Sequence, residues 1–272
     1  VPARPELLRA IVRAAVRAAE PYAIPVTTKF RMGLFDDWLT FKRTGEVCAE
    51  EGVASIAMHA RTVEQHYSGE ARWDAIGELK EHMADLGGSI PVLGNGDIWE
   101  ASDAVAMMEQ TGCDGVVVGR GCLGRPWLFG DLVEALNGRA VAPSRQLGDV
   151  AAVMADHATM LADHLGEDHA MRDFRKHTGW YMSGYPVGSE IRRRFSMTKT
   201  LSELDDILAD MLDRVGPETT VVEGGERIKR GHTNGPIKVA IPDGWLDGQT
   251  RHDLGTDTSV PDDADVMALS GG

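Results

Sequence analysis

The chain has 272 residues, 43% of them hydrophobic, and carries a formal net charge of −14 from 42 acidic and 28 basic side chains. That length and apolar content suffice for a substantial core, in one large domain or two small ones. The acidity excludes a grip on nucleic acid through overall basicity and leaves room only for a local basic patch.

Cys48, Cys113 and Cys122 have neither metal-site spacing nor the even count of a secreted disulfide framework. No apolar run approaches membrane-spanning length, and the N-terminus lacks a signal-peptide pattern. A soluble protein of the reducing cytoplasm, with no bound metal and no membrane contact, is expected.

Pro5 to Arg17 sets Leu8, Ile11, Val12 and Val16 at helical spacing with arginines on the other face, an amphipathic helix that needs a sheet to lie on. A βα fold that starts on a helix, with no initiating Met, suggests that the front half is absent from this sequence. Ile24 to Arg31 is the next strand. Lys29, near its C-terminal end, reads either as a solvated lysine or as a cation against an anionic or electron-rich cofactor. Phe35 to Glu51 reads as a helix through Trp38, Phe41 and Val47, stopped by Gly52.

Val53 to His59 is a third strand. His59 beside Arg61 is either structural or a ligand or phosphate contact. The polar and aromatic segment from Glu64 to Trp73 is an ordinary surface loop or the loop that receives a substrate. After a helix from Ala75 to Leu86, the run Ile90 to Leu93 ends in Gly94-Asn95-Gly96-Asp97. A helix from Glu100 to Gln110 then leads to the run Asp114 to Val118, ending in Gly119-Arg120-Gly121. Two glycine-containing loops after successive strands are either plain turns or a pair facing one ligand, with backbone N–H groups approaching a phosphate and Arg120 neutralising it. Four strands about thirty residues apart, each ending in polar residues, predict the C-terminal half of a TIM (β/α)8 barrel; a doubly wound sheet is the alternative.

Beyond Arg125-Pro126-Trp127, Pro143 and Gly148 mark a boundary. Residues 1–142 are then the half-barrel, 143–215 a small all-α domain and 216–272 a disordered acidic tail, in which Ile237 to Ile241 has the makings of a short strand. In the helical part, Met171 to Met182 and Ile191 to Phe195 hold the basic clusters of the chain, interleaved with aromatics. Arg175, Lys176, Arg192, Arg193 and Arg194 are candidate phosphate contacts, or else a solvated helix face over buried Trp180 and Phe195.

Taken in order, Val26 to Arg31, His59-Ala60-Arg61-Thr62, Asn95-Gly96-Asp97-Ile98, Gly119-Arg120-Gly121 and Arg125-Pro126-Trp127 resemble the bacterial tRNA-dihydrouridine synthases, and most of all their DusB-like branch. Arg175-Lys176-His177 with Trp180-Tyr181 looks like the same family's C-terminal helical domain. The resemblance implies an FMN-containing barrel that uses NADPH to reduce the C5–C6 double bond of particular tRNA uridines, in a protein that is monomeric when complete.

Carried over by resemblance, Lys29 and His59 match flavin contacts. Asn95, Gly96 and Asp97, with Gly119 and Arg120, match the loops that hold the FMN phosphate. Arg61 joins the basic residues expected to meet RNA. The family's proton-donating cysteine belongs to an Asn-x-Gly-Cys-Pro type motif upstream of anything in this sequence, so no catalytic residue is assigned and these 272 residues alone are expected to be inactive. Competing readings are an FMN barrel oxidoreductase for a small pyrimidine and an RNA-binding protein without catalysis.

Overall fold

The structure, a computed structural model, describes residues 1–87, 90–229 and 235–247. It divides into two compact units. The first comprises residues 1–97, 106–117 and the described part of 233–272; the second comprises 98–105 and 118–232.

The first unit opens with α1 (Pro5–Ala19), whose Pro5 occupies a first-turn position where no backbone N–H is needed. Strand β1 (Thr27–Arg31) follows. The predicted helix from Phe35 is instead a hairpin, β2 (Gly33–Phe35) and β3 (Trp38–Leu39) joined through Asp36-Asp37, and α2 (Phe41–Glu50) begins only afterwards. Phe35 and Trp38 pair across the turn, and paired aspartates favour a turn over a helix interior. The hairpin is held from outside by the Val63 and Glu64 amides, which donate to the Gly33 and Leu34 carbonyls at 2.9 and 3.0 Å.

Then come β4 (Ser55–His59), α3 (Trp73–Asp85), β5 (Val92–Asn95), α4 (Ala101–Thr111), whose residues 101–105 are counted with the second unit, and β6 (Gly115–Val116). Strands β1, β4, β5 and β6 form one parallel sheet in the order of the chain. The run from Asp114 to Val118 yields only two ladder residues, although the Val117 amide continues the pairing to Gly94 O at 2.8 Å.

Parallel strands buried by crossover helices read as apolar on the covered face. Here Ile56, Met58 and Val92 are fully buried, as are Val47 and Cys48 of α2 and Ile76 and Leu79 of α3. Successive residues alternate faces, so Lys29, Arg31, His59 and Asn95 share the opposite side. Arg9 and Arg13 of α1 bind Glu51 just past α2, with N–O distances of 2.8 Å, and the pair of guanidiniums lowers the Glu51 carboxyl to about 2.

In the second unit, α5 (Leu128–Leu136) is followed by α6 (Leu147–Leu165), α7 (Glu167–Tyr181), α8 (Gly188–Met197) and α9 (Leu201–Val215). Helices α6 to α9 share one apolar core. Leu147, Val150, Met154 and Ala158 recur along α6 with helical period and meet Phe174, Tyr181, Phe195, Leu204 and Met211. Helix α9 starts at Thr200, whose hydroxyl accepts from the Glu203 amide at 3.1 Å.

Residues 216–229, expected in a free tail, are tied to this unit. Val221 packs on the helical core, and the Leu147 and Gly148 amides donate to Thr219 O and Pro217 O at 2.7 and 2.9 Å. Within Ile237 to Ile241 no strand forms; a single backbone bond joins the Ile237 amide to Glu64 O at 2.9 Å. The acidic end, Asp262 to Asp265, lies outside the described residues.

Phe174 has no exposure and Met160, on the outer face of α6, is 64% exposed. Phe174→Ala is expected to destabilise the helical unit by about 3–5 kcal/mol through lost burial and a residual cavity. Met160→Ala should stay within about 0.5 kcal/mol. Urea unfolding followed by circular dichroism separates the two, and equal effects would contradict the core assignment.

Candidate functional site

The parallel register aligns Arg31, His59 and Asn95 as direct neighbours across β1, β4 and β5, with Lys29 opposite Ala57 one side-chain step earlier. Two cations, an imidazole and an amide thus lie together at the carboxyl ends of the strands. Asn95 closes the row by donating through Nδ2 to Val117 O at 2.6 Å. Arg31 donates through Nη1 to Thr62 O at 2.9 Å and His66 O at 2.8 Å, and lies 5.5 Å from the Tyr67 ring centroid.

This crowding sets the protonation states. His59 is 7% exposed, and desolvation, followed by the charges of Arg31, Lys29 and Arg61, pushes its imidazole down to about 3. It is therefore neutral at neutral pH, with one ring nitrogen free to accept a hydrogen bond and the other to donate. Lys29 reaches solvent, yet partial desolvation and then the Arg31 charge hold its ammonium below the ordinary lysine value.

Arg61 was expected to meet RNA. Instead it has no exposure, because its guanidinium is the internal hub of the following loop: it donates to Ser68 O at 3.1 Å, Gly69 O at 2.8 Å and Asp97 Oδ2 at 2.6 Å. The same Asp97 oxygen accepts from the Ala71 amide at 2.7 Å. Asp97 sits at φ 53°, a left-handed conformation that costs a non-glycine residue about 1–3 kcal/mol and persists only when its surroundings fix it.

Gly96 precedes it at φ +131°, and a Cβ there would lie 2.6 Å from that of Ala71 and 3.4 Å from the His59 ring. Its carbonyl accepts from Trp73 Nε1 at 3.0 Å. Two buried polar atoms in this region, Asp97 Oδ1 and His66 Nδ1, have no hydrogen-bond partner among the described residues.

Gly119 and Arg120 belong to the second unit. Arg120 opens a short 3-10 turn, Arg120–Cys122, and its guanidinium stands 5.4 Å from the Trp99 ring centroid. Gly121 is obligatory, since a Cβ would fall 2.1 Å from Ile98 O. Trp99 is itself fixed: its amide donates to Asp103 Oδ2 at 2.8 Å and its carbonyl accepts from Arg125 Nη1 at 2.6 Å. Trp99 and Asp103 were missed in the sequence because each looks like an ordinary residue at a helix start. Arg125 was visible only as part of Arg-Pro-Trp.

The expected RNA contacts on the helices divide by environment. Arg192 is committed to the α7–α8 connection, donating to Met182 O and Tyr185 O at 2.8 Å each, and Arg175 donates to Thr198 O at 2.7 Å. Lys176 pairs with Asp173 and Arg194 with Asp210, while Arg193 is exposed. Trp180 meets His177 edge-on at 4.9 Å; burial first, then His157 and Lys176, lower the His177 imidazole to about 4.

Cys48 and Cys113 are buried, and Cys122, half-buried, donates its thiol to Gly119 O at 3.1 Å while burial pushes that thiol up. No helix among the described residues is long and apolar enough to cross a membrane.

These features define an α/β protein whose polar and cationic groups gather at the carboxyl ends of parallel strands. A family profile described as Dihydrouridine synthase (Dus) matches residues 1–215, and the chain belongs to that family. A protein of Mycobacterium tuberculosis (strain ATCC 25618 / H37Rv) named probable tRNA-dihydrouridine synthase is 49% identical over 271 residues, 100% of this chain and 66% of that protein. A Mycobacterium leprae (strain TN) protein of the same name is 48% identical over 271 residues, 100% of this chain and 67% of its own length. The tRNA-dihydrouridine synthase B of Pseudomonas putida is 36% identical over 194 residues, 70% of this chain and 54% of that protein. The chain therefore spans about two thirds of the mycobacterial relatives and little more than half of the Pseudomonas one.

Two outcomes follow from the site geometry. Because the His59 imidazole is lowered from 6.5 to about 3, its contribution to stability is complete above pH 6.5 and is lost as pH falls towards 3. Urea midpoints between pH 7 and 4 should fall more steeply in the parent than in His59→Asn, the difference excluding the similar slope from His177. Removing the buried Arg61 should cost about 3–5 kcal/mol in Arg61→Ala, because Asp97 is left uncompensated. Arg193→Ala, on an exposed face, should stay within about 0.5 kcal/mol in the same assay.

Proposed function

We propose that this chain forms part of an enzyme that reduces specific tRNA uridines to 5,6-dihydrouridine, with FMN as cofactor and NADPH as electron donor. In this reading residues 1–142 are half of a (β/α)8 barrel, residues 143–215 face the tRNA, and the complete protein is a cytoplasmic monomer. The observation that carries it is the row of Lys29, Arg31, His59 and Asn95 on one sheet face of a dihydrouridine synthase family chain.

The residues present suit the cofactor. Lys29 and Arg31 would stabilise the negative charge of a reduced flavin, and neutral His59 would supply a hydrogen bond without adding charge. Asn95 and Gly96 line the same strand end of the first unit; within the second unit, taken by itself, Gly119 is an open glycine beside the Arg120 guanidinium, groups of the kind that bind a phosphate. Asp97 takes a different part from the one its motif suggests. A carboxylate repels phosphate, so its role is to hold Arg61 and to offer the unpartnered Oδ1 to a hydroxyl or N–H.

Bound FMN supplies the hydride for the C5–C6 double bond of the uracil. The chain's own groups orient ligand and base and keep charge in place; the proton for C5 is assigned to none of Cys48, Cys113 or Cys122, each buried or bonded within its own turn. These 272 residues are accordingly proposed to bind without turnover. Exposed Arg193, with Lys176 and Arg194 beside their carboxylate partners, is the part of the basic cluster suited to RNA phosphates.

Titration with FMN, followed by the visible absorbance and fluorescence of the flavin, tests the reading. Lys29→Ala and Arg120→Ala should each weaken binding about 10- to 100-fold, the equivalent of one charge-assisted hydrogen bond. Absence of binding, or binding indifferent to both substitutions, would overturn it and favour an RNA-binding protein without a flavin.

A further inference from the structure

The match to the family ends at residue 215, yet the chain beyond it returns to the loop that carries Trp99. Three anchors hold this segment within the second unit. Near its start, the Leu147 and Gly148 amides donate to Thr219 O and Pro217 O. In the middle, the Val222 amide donates to Gly184 O at 2.9 Å, and Gly184 and Gly225 pack so closely that a Cβ on Gly184 would lie 2.9 Å from Gly225 O. At its end are two charged contacts. Glu226 binds Arg125, Oε2 to Nη2 at 2.8 Å, and Arg227 Nη1 lies 2.6 Å from Glu100 Oε2 and 3.0 Å from Asp103 Oδ1.

Both contacts act on Trp99. The Arg125 that Glu226 holds donates to the Trp99 carbonyl, and the Asp103 that Arg227 holds accepts from the Trp99 and Glu100 amides at 2.8 and 2.9 Å. The indole so fixed is the one beneath the Arg120 guanidinium. Arg125 is 6% exposed and its Nε has no partner among the described residues, so without Glu226 a buried cation would keep only carbonyl acceptors.

We propose that residues 217–227 are a strap that positions the Ile98–Glu100 loop at the start of α4 and, through Trp99, the Arg120 guanidinium, with Glu226 and Arg227 as its positioning residues. The consequence for phosphate binding rests on the FMN reading above; the positioning itself does not. Neither residue touches the ligand. Both act through the geometry of the loop. Because a single nitrogen of Arg227 makes both carboxylate contacts, a lysine ammonium at the same position satisfies the requirement.

The test uses the whole 272-residue chain and the variants Arg227→Ala, Arg227→Lys and Lys229→Ala, the last removing the same charge two residues away. Amide hydrogen exchange at Trp99 and Glu100 is read without any ligand, and FMN affinity is read by flavin fluorescence. Arg227→Ala should speed exchange at both amides about three- to tenfold and weaken FMN by a similar factor, with the urea midpoint held to the small change of an exposed ion pair. Arg227→Lys should restore both readouts, and Lys229→Ala should leave both as in the parent. Unchanged exchange at Trp99 and Glu100 in Arg227→Ala overturns the strap. Equal weakening of FMN by Lys229→Ala overturns its link to the ligand in favour of general charge attraction. A parent that binds no FMN overturns the flavin reading, and the exchange contrast then decides the strap alone.

Discussion

A guanidinium without solvent must have its charge and its N–H groups answered by the protein, and Arg61 meets that demand with one carboxylate and two loop carbonyls. The consequence runs in both directions along the chain. Asp97 is drawn into a left-handed backbone to reach Arg61 and the Ala71 amide, and the Thr62–Arg72 segment is folded back over the strand ends. The loop after β5 therefore takes its shape from a charge two residues past the end of β4. An apolar pair of the same volume would be cheaper to bury, but would leave the Ser68 and Gly69 carbonyls unanswered. The ion pair is thus a device for fixing backbone geometry, and whatever stability it adds comes second.

The electrostatic character of the neighbouring sheet face follows from register. Lys29, Arg31 and Arg61 surround His59, and their combined charge with desolvation keeps its ring neutral. A protonated imidazole would add a fourth positive charge to this crowded cluster, so the cations, with desolvation, decide that His59 serves as a hydrogen-bonding group. Asp97 opposes this only weakly, being the smallest contributor and already committed to Arg61. The acidic net charge of the chain says nothing about such a row, because the field at strand ends is set by the few charges within a Debye length.

Much of this was legible in the sequence and the rest was hidden for identifiable reasons. The four parallel strands, their order and the helices between them follow from apolar runs and their spacing, and Lys29, His59 and Asn95 fall on one face because strand side chains alternate. The Phe35–Leu39 part of the hairpin was read as helix because Trp38 and Phe41 have helical spacing, whereas the deciding signals were Asp36-Asp37 and a backbone partner some thirty residues away at Val63 and Glu64. Arg61 was grouped with the RNA-contacting residues by resemblance; no local pattern announces the carboxylate 36 residues later that holds it inside. Arg192 was read only as a candidate phosphate contact, because its carbonyl acceptors belong to a turn whose path composition does not reveal.

The segment after α9 makes the limit of compositional reading clearest. Gly, Pro and Thr lower the chance of regular structure, and they were taken as the mark of disorder. Lack of periodicity, however, excludes only helix and strand; it does not exclude an irregular chain held by a few long-range bonds. Pro217 and Thr219 lend carbonyls to the first amides of α6, which a helix start must satisfy from outside itself, and Arg227 answers carboxylates more than 120 residues earlier. The order of this stretch thus resides in groups elsewhere that need partners. Orphan amides at a helix start, a buried guanidinium at Arg125 and the paired carboxylates Glu100 and Asp103 each require a counterpart, and one short irregular strap supplies all three.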